Sequence, residues 1–336
     1  MIFTRTPFRL PLGGGSTDLP AYYEKHGGFI FSVAINLYMY LGLNRPPGDD
    51  LIRLKYRDSE EVERLTDLKH NIARAALQRT GIAKMVEISS MADVSDGTGL
   101  GSSASYLVGL LNALHALKGE NTSRQHLAEE AFVIATEDLG LPDGKQDFYL
   151  AAFGNFCVLN IHQNGKVDVS PAHISRATQQ EFEKRNLLFY TGVRRSSVDI
   201  LKEQQTNIRE NKIDAIELKH QIKRIGYDIL STFETGNLDR FGELLDEHWQ
   251  LKRQMSQKMS NDLFDNIYEQ VKHSGALGGK IVGAGGGGFF LVYCQDGSQT
   301  GVRKVFAEAG MREIEYRVDA GGTQVLLNRH RSLNTI

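Results

Sequence analysis

The strongest helical period in the chain lies at residues 103–117, where Leu107, Val108, Leu110, Leu111, Leu114 and Leu117 recur at the spacing of one helix face. Upstream, residues 29–43 (FIFSVAINLYMYLGL) are rich in β-branched and aromatic side chains with partial alternation and predict strands. Residues 70–80 predict a helix stopped by Gly81, and residues 84–91 a strand. A helix is expected over 123–138 with Ser123 as N-cap, broken between Gly140 and Gly144. A short helix in DFYLAAF, closed by Gly154, and a strand in FCVLNI follow. After about residue 175 the texture changes. NLLFY at 186–190 predicts a strand, and two amphipathic segments run through 197–231 and 237–259. Ile222, Ile225, Ile229 and Leu230 mark one stripe, and Leu238, Phe241, Leu244, Leu245 and Trp249 the other. GFFLVYC and TQVLLNR supply later strands. Strands and helices mix without strict alternation, which is an α+β pattern. The polar run SRATQQEFEKRN divides the chain into units expected at 1–175 and 176–336.

Composition narrows the functional classes. The 336 residues carry 39 Lys+Arg against 41 Asp+Glu, so bulk charge gives no reason to expect nucleic acid. No apolar run approaches the roughly 20 residues that cross a bilayer, and no secretory h-region opens the chain. A soluble, cytoplasmic protein is expected. Cys157 and Cys294 both sit in apolar runs and predict reduced core thiols. Glycine is the outlier, with 34 residues gathered at Gly13–Gly15, Gly97–Gly101 and Gly283–Gly288. Apolar runs flank each cluster, so these predict loops that wrap a ligand.

The central cluster carries the clearest chemistry. Gly97, Gly99, Leu100, Gly101, Ser102, Ser103 and Ala104 run straight into the 103–117 helix. First-turn N–H groups have no intrahelical acceptor, and the helix dipole favours negative charge there. Three readings are open on these residues alone. One is a plain helix cap; another is a dinucleotide fingerprint, since Gly99, Gly101 and Ala104 satisfy G-x-G-x-x-A; the third is a kinase phosphate loop. A Walker A loop is excluded, because no G-K-[ST] follows.

The outer clusters decide among them. TPFRLPLGGGSTDLP (6–20), GTGLGSSAS (97–105) and GGKIVGAGGGGFFLVY (278–293) resemble, in order, the motifs of the GHMP family of small-molecule kinases. RLPLGGGSTDLP, LPDGKQDFYLAAFG, FYTGVRRSS and EHWQLKR most resemble its heptose 7-phosphate kinases. The resemblance implies a two-domain fold, ribosomal-S5-like at the N-terminus and ferredoxin-like at the C-terminus. It also implies transfer of the γ-phosphoryl group of ATP to a sugar, with Mg²⁺.

The resemblance further implies roles for particular residues. Gly97, Gly99, Leu100, Gly101, Ser102, Ser103 and Ala104 would hold ATP, and Ser103, with Ser102 as the near alternative, would hold Mg²⁺ together with Glu137. Asp147, expected at the start of a short helix, would be the catalytic aspartate, orienting and polarising the acceptor hydroxyl. Arg9 would face it and the transferring phosphoryl. Gly14, Gly15, Ser16, Thr17 and Asp18 would bind the sugar, Asp18 accepting from paired hydroxyls. Galactokinases carry Glu-His where Gly15-Ser16 stand here, which counts against galactose. Arg194 and Arg195 would take a phosphate already on the sugar. Gly285 and Gly286 would line the cleft from the second domain. The expected reaction is phosphorylation of a heptose 7-phosphate at its anomeric hydroxyl. The alternatives are another sugar-1-kinase, L-fucokinase or galactokinase-like, and a non-catalytic ATP and sugar sensor on the same fold.

Overall fold

The computed structural model describes residues 1–194, 198–210, 213–256 and 259–329. The first half contains β1 (Ile2–Gly13), α1 (Pro20–His26), β2 (Gly28–Asn44), β3 (Ile52–Lys55), β4 (Ser59–Val62), α2 (Asn71–Thr80) and β5 (Val86–Ala92). It continues with α3 (Ser102–Leu117), α4 (Arg124–Val133), α5 (Gln146–Phe153), β6 (Phe156–Ile161) and β7 (Val167–Pro171). The second half begins with α6 (Arg176–Arg185), β8 (Asn186–Tyr190), α7 (Val198–Arg209), α8 (Ile213–Thr235), α9 (Leu238–Gln254) and α10 (Asp262–His273). It ends with β9 (Ala276–Ile281), β10 (Phe289–Cys294), α11 (Gln299–Glu308), β11 (Arg312–Glu313) and β12 (Gln324–Asn328).

Two sheets result. The larger has the order β12-β1-β2-β5-β3-β4, with β6 and β7 continuing from β2. The strands expected within 29–43 are one 17-residue strand, β2. Its first half pairs with β6 and its second with β5, so the two halves differ in burial while the backbone stays extended. The smaller sheet is antiparallel with the order β11-β8-β10-β9. Counted along the chain this is 4-1-3-2, with helices between its first and second and its third and fourth strands, the ferredoxin-like arrangement.

Packing joins the halves. Phe31 and Phe156 of the larger sheet meet Phe182, Phe233 and Phe241 from α6, α8 and α9, with neighbouring ring centroids 4.9–6.1 Å apart. One contiguous core therefore runs from β1 and β2 through α8 and α9 to Leu291 and Tyr293 of β10. A second core lies among Trp249, Phe264, Tyr268, Phe290 and Phe306. The last strand, β12, lies beyond residue 176 yet hydrogen-bonds to β1. Cys157 and Cys294 are buried free thiols, and burial pushes each up to about 12. No helix among the described residues is long and apolar enough to cross a membrane.

Candidate active site

The site is built where the glycine loops meet. Gly99 takes φ +86°, and a Cβ there would lie 2.7 Å from the Val282 carbonyl oxygen. A Cβ on Gly288 would lie 2.0 Å from the Thr98 oxygen. The 97–101 and 283–288 loops thus pack backbone to backbone, a closeness that side chains would prevent. The cleft beside them holds about 650 Å³ and is lined by residues of both halves, a volume within the usual range for a small-molecule site.

Helix α3 begins in this cleft. Its N-cap residue is Gly101, in the left-handed region and with no side chain to cap the first turn. The amides of Ser102–Ala104 and the hydroxyls of Ser102 and Ser103 are therefore available to an anion. Gly97, Gly99, Gly101, Ser102, Ser103 and Ala104 line the cleft. Leu100 does not: it is fully buried, and its carbonyl accepts from the Arg9 amide at 3.2 Å. It anchors the loop to β1.

Arg9 and Asp147 stand beside that helix start. Arg9 Nε and Nη2 donate to Asp147 Oδ1 and Oδ2, each at 2.7 Å, while Nη1 donates to the Gly99 carbonyl at 2.5 Å. This bidentate pair fixes both groups in orientation as well as position. Asp147 is the second residue of α5 and does not cap it; the cap position belongs to Lys145. With its carboxylate turned to Arg9, Asp147 lies next to Gly101, whose Cβ would sit 3.3 Å from Oδ2.

The 13–18 turn closes the other side. Gly15, Ser16 and Asp18 line the cleft. Thr17 and Gly14 shape the turn instead of facing a ligand. The Thr17 hydroxyl donates to the Gly14 and Phe29 carbonyls and accepts from the Phe29 amide. Gly14 has φ +78°, and a Cβ there would meet the Phe29 carbonyl oxygen at 2.0 Å. Asp18 Oδ2 accepts from the Gln146 amide at 2.9 Å, which ties the turn to α5. Burial, more than the nearby Asp147 charge, raises the Asp18 pKa above the usual carboxylate range.

Several expected residues stand elsewhere. Glu137 is exposed on a π-helical turn, Ile134–Asp138, and does not line the cleft. The expected 123–138 helix ends at Val133 for the same reason. Gly285 and Gly286 pack against Met259, whose carbonyl accepts from the Gly286 amide at 2.7 Å; Gly283 and Ala284 face the cleft in their place. Arg194 lines the cleft, half exposed and 3.7 Å from Asp96. Arg195 lies outside the described residues.

Other lining residues were not singled out in the sequence. Asp143 is pushed up to about 7, first by burial and then by the charges of Asp147 and Asp18. It hides in LPDGKQD, where Pro-Asp-Gly reads as a turn. His248 and Lys252 line the cleft from α9, one turn apart within EHWQLKR, and Lys280 does so from GGKIVGAGGGG. Lys219 is not in the lining but stands behind it: pushed down to about 7 by burial, it donates to the Ser16 carbonyl at 3.3 Å from within an amphipathic stripe.

The residues present fit a nucleotide's phosphates: an uncapped helix start, loops with no room for side chains and a fixed arginine beside them. For magnesium, Ser103 lies in the cleft and Glu137 outside its lining.

Residues 68–155 match the GHMP kinases N terminal domain, and residues 229–309 match the GHMP kinases C terminal domain. The chain is 30% identical to a D-glycero-alpha-D-manno-heptose 7-phosphate kinase of Campylobacter jejuni, over 87% of this chain and 89% of that protein. It is 25% identical to an L-fucokinase/L-fucose-1-P guanylyltransferase of Bacteroides fragilis, over 97% of this chain but only 38% of the relative. A D-glycero-D-manno-heptose 1-phosphate kinase from Bacteroides thetaiotaomicron shares the fold at a TM-score of 0.81 and 24% identity, covering 97% and 99% of the two chains. The fold, the paired glycine loops and this relationship agree, and the chain belongs to the GHMP kinase family as a sugar kinase.

Proposed function

We propose that this kinase transfers the γ-phosphoryl group of ATP to the anomeric hydroxyl of D-glycero-α-D-manno-heptose 7-phosphate, giving the 1,7-bisphosphate. The observation that carries this reading is the Arg9–Asp147 pair, set against the uncapped start of α3 in a cleft that Asp18 also lines. The heptose is favoured by the 30% identical relative that acts on it.

Phosphoryl transfer asks a protein mainly for positioning and charge neutralisation. The amides of Ser102–Ala104 hold the donor phosphates. Asp147 accepts the hydrogen bond of the anomeric hydroxyl and aims its oxygen at the γ-phosphorus. The new oxygen–phosphorus bond forms as the bond to the ADP oxygen breaks, and the hydroxyl proton leaves to Asp147. Arg9 keeps the carboxylate oriented and presents a fixed positive charge to the transferring group, where pre-organised charge is most effective. Asp18 and Ser16 accept from the remaining sugar hydroxyls. Ser103, which lines the cleft, would hold the magnesium that accompanies the nucleotide; bound magnesium neutralises phosphate charge. ATP as donor is consistent with a cytoplasmic enzyme.

The test is ADP release from MgATP across sugars and sugar 6- and 7-phosphates, with NMR of the product. Preference for the heptose 7-phosphate and a new phosphorus coupling at its anomeric carbon are expected. Preference for L-fucose or galactose overturns the assignment of substrate, and nucleotide binding without turnover on any sugar overturns catalysis.

A further inference from the structure

The cleft contains a basic cluster that none of the steps above uses. His248 of α9 is 3% exposed and lines the cleft, and neither of its ring nitrogens has a hydrogen-bond partner among the described residues. One helical turn on, the Lys252 ammonium donates to the Gly283 and Ile281 carbonyls. Lys280 of β9 is 1% exposed. It donates to the Leu12 carbonyl at 2.8 Å and has no carboxylate in ion-pair contact among the described residues. Burial first, then the charges of Lys280 and Lys252, hold the His248 imidazole well below its ordinary range. Burial, with Lys252 and Arg9 facing it, does the same to Lys280.

A buried imidazole whose nitrogens find no partner among the described residues carries the desolvation cost of its polar groups, and the positive charges of Lys252 and Arg9 facing Lys280 repel it. A doubly charged oxyanion relieves both costs at once. It accepts hydrogen bonds from His248 and from the ammonium hydrogens of Lys280, and it restores the protons that burial discourages.

We propose that His248 and Lys280, backed by Lys252, form the subsite for the phosphate group that the acceptor sugar already carries. This rests on the sugar-phosphate reading above. The nucleotide's phosphates are served by the start of α3, whereas Lys280 is anchored on Leu12, immediately before the turn that presents Ser16 and Asp18. Arg194, exposed and facing Asp96, is the weaker host for such a group.

The test uses the full-length protein. Inorganic phosphate titrated into ¹⁵N-histidine-labelled wild type should shift the His248 ring signals, with no such shift in His248→Gln. In the same variant the KM for D-glycero-α-D-manno-heptose 7-phosphate should rise roughly ten- to hundredfold, with the Kd for MgATP unchanged. Weakened MgATP binding with an unchanged sugar-phosphate KM assigns the cluster to the nucleotide and overturns the proposal. Absence of any phosphate-dependent shift at His248 in wild type also overturns it, and that arm stands even if the variant folds poorly. Phosphate binding at His248 in a protein that phosphorylates no sugar phosphate upholds the anion subsite and rejects the substrate reading instead.

Discussion

At the scale of single residues, Arg9 and Asp147 bear most of the chemistry, and their geometry predicts what one atom is worth. Asp147→Asn keeps the size and shape of the side chain but removes the charge that polarises the acceptor and one of two acceptors for the Arg9 fork. It should lower kcat by about a hundredfold or more, with the fold intact by circular dichroism. A variant turning over near the wild-type rate removes Asp147 from the mechanism. Asp143 carries a different consequence. Its proton is held up to about 7, so between the ordinary carboxylate range near 4 and about 7 the folded protein binds a proton that the unfolded chain has lost. Its contribution to stability is therefore fully present at low pH and is lost as pH rises through that window. Asp143→Asn should flatten the pH dependence of unliganded stability there and make the protein more stable than wild type above pH 7. Urea titrations at a series of pH values measure this, and an unchanged profile rejects the assignment.

At the scale of elements, what could be read from the chain depended on whether one local signal matched one tertiary role. Helix α3 and the Gly81 stop of α2 follow from period and cap alone: the leucine period marks α3 even though the helix is buried on nearly every side, without a break from Ala104 to Leu111. Helix α10 has the same signal in Phe264, Ile267, Tyr268 and Val271, all buried, but it follows so closely on the preceding amphipathic segment that the Asn261 cap, accepting from the Phe264 amide, is the mark of the boundary. The β3–β4 hairpin has four residues a strand: Ile52 and Leu54 alternate with Arg53 and Lys55 in β3, but the run is too short to stand out and β4 is mostly charged, with Arg53 pairing with Glu61 and Asp49. The site divides in the same way. Glycine clusters and the start of α3 are visible because backbone closeness excludes side chains, and glycine is the record of that exclusion. Asp143, His248 and Lys280 are common residue types whose meaning comes from the cleft they share, and that cleft is assembled from elements distant in the chain. Gly285 and Gly286 belong to the right loop, yet their own packing against Met259 turns them from the ligand.

At the scale of the whole molecule, the question is whether the halves on either side of residue 175 are separable bodies. Three connections argue that the first half depends on the second. Strand β12 supplies the outer hydrogen-bonded partner of β1 from Ile2 to Arg5. Helix α8 crosses β1 so closely that a Cβ on Gly13 would lie 2.8 Å from the Gly226 Cα, so no other element substitutes for it without moving the sheet. The cluster of Phe31 and Phe156 closes only with Phe182, Phe233 and Phe241 from beyond the boundary. Losing one such ring typically costs about 3–5 kcal/mol, and the stability of an entire domain is only about 5–15 kcal/mol. Removing three rings, an edge strand and a covering helix together exceeds that margin. A fragment of residues 1–175 should accordingly show no cooperative urea transition and poor dispersion of its amide NMR signals, whereas the full chain unfolds both sheets in one transition. Because the cleft draws Arg9 and Asp147 from one side of the boundary and His248 and Lys280 from the other, that cooperativity would also hold the catalytic pair and the basic cluster in fixed relation. A soluble, cooperatively folding 1–175 fragment would separate them, leaving the two halves free to move as independent bodies about the bound sugar.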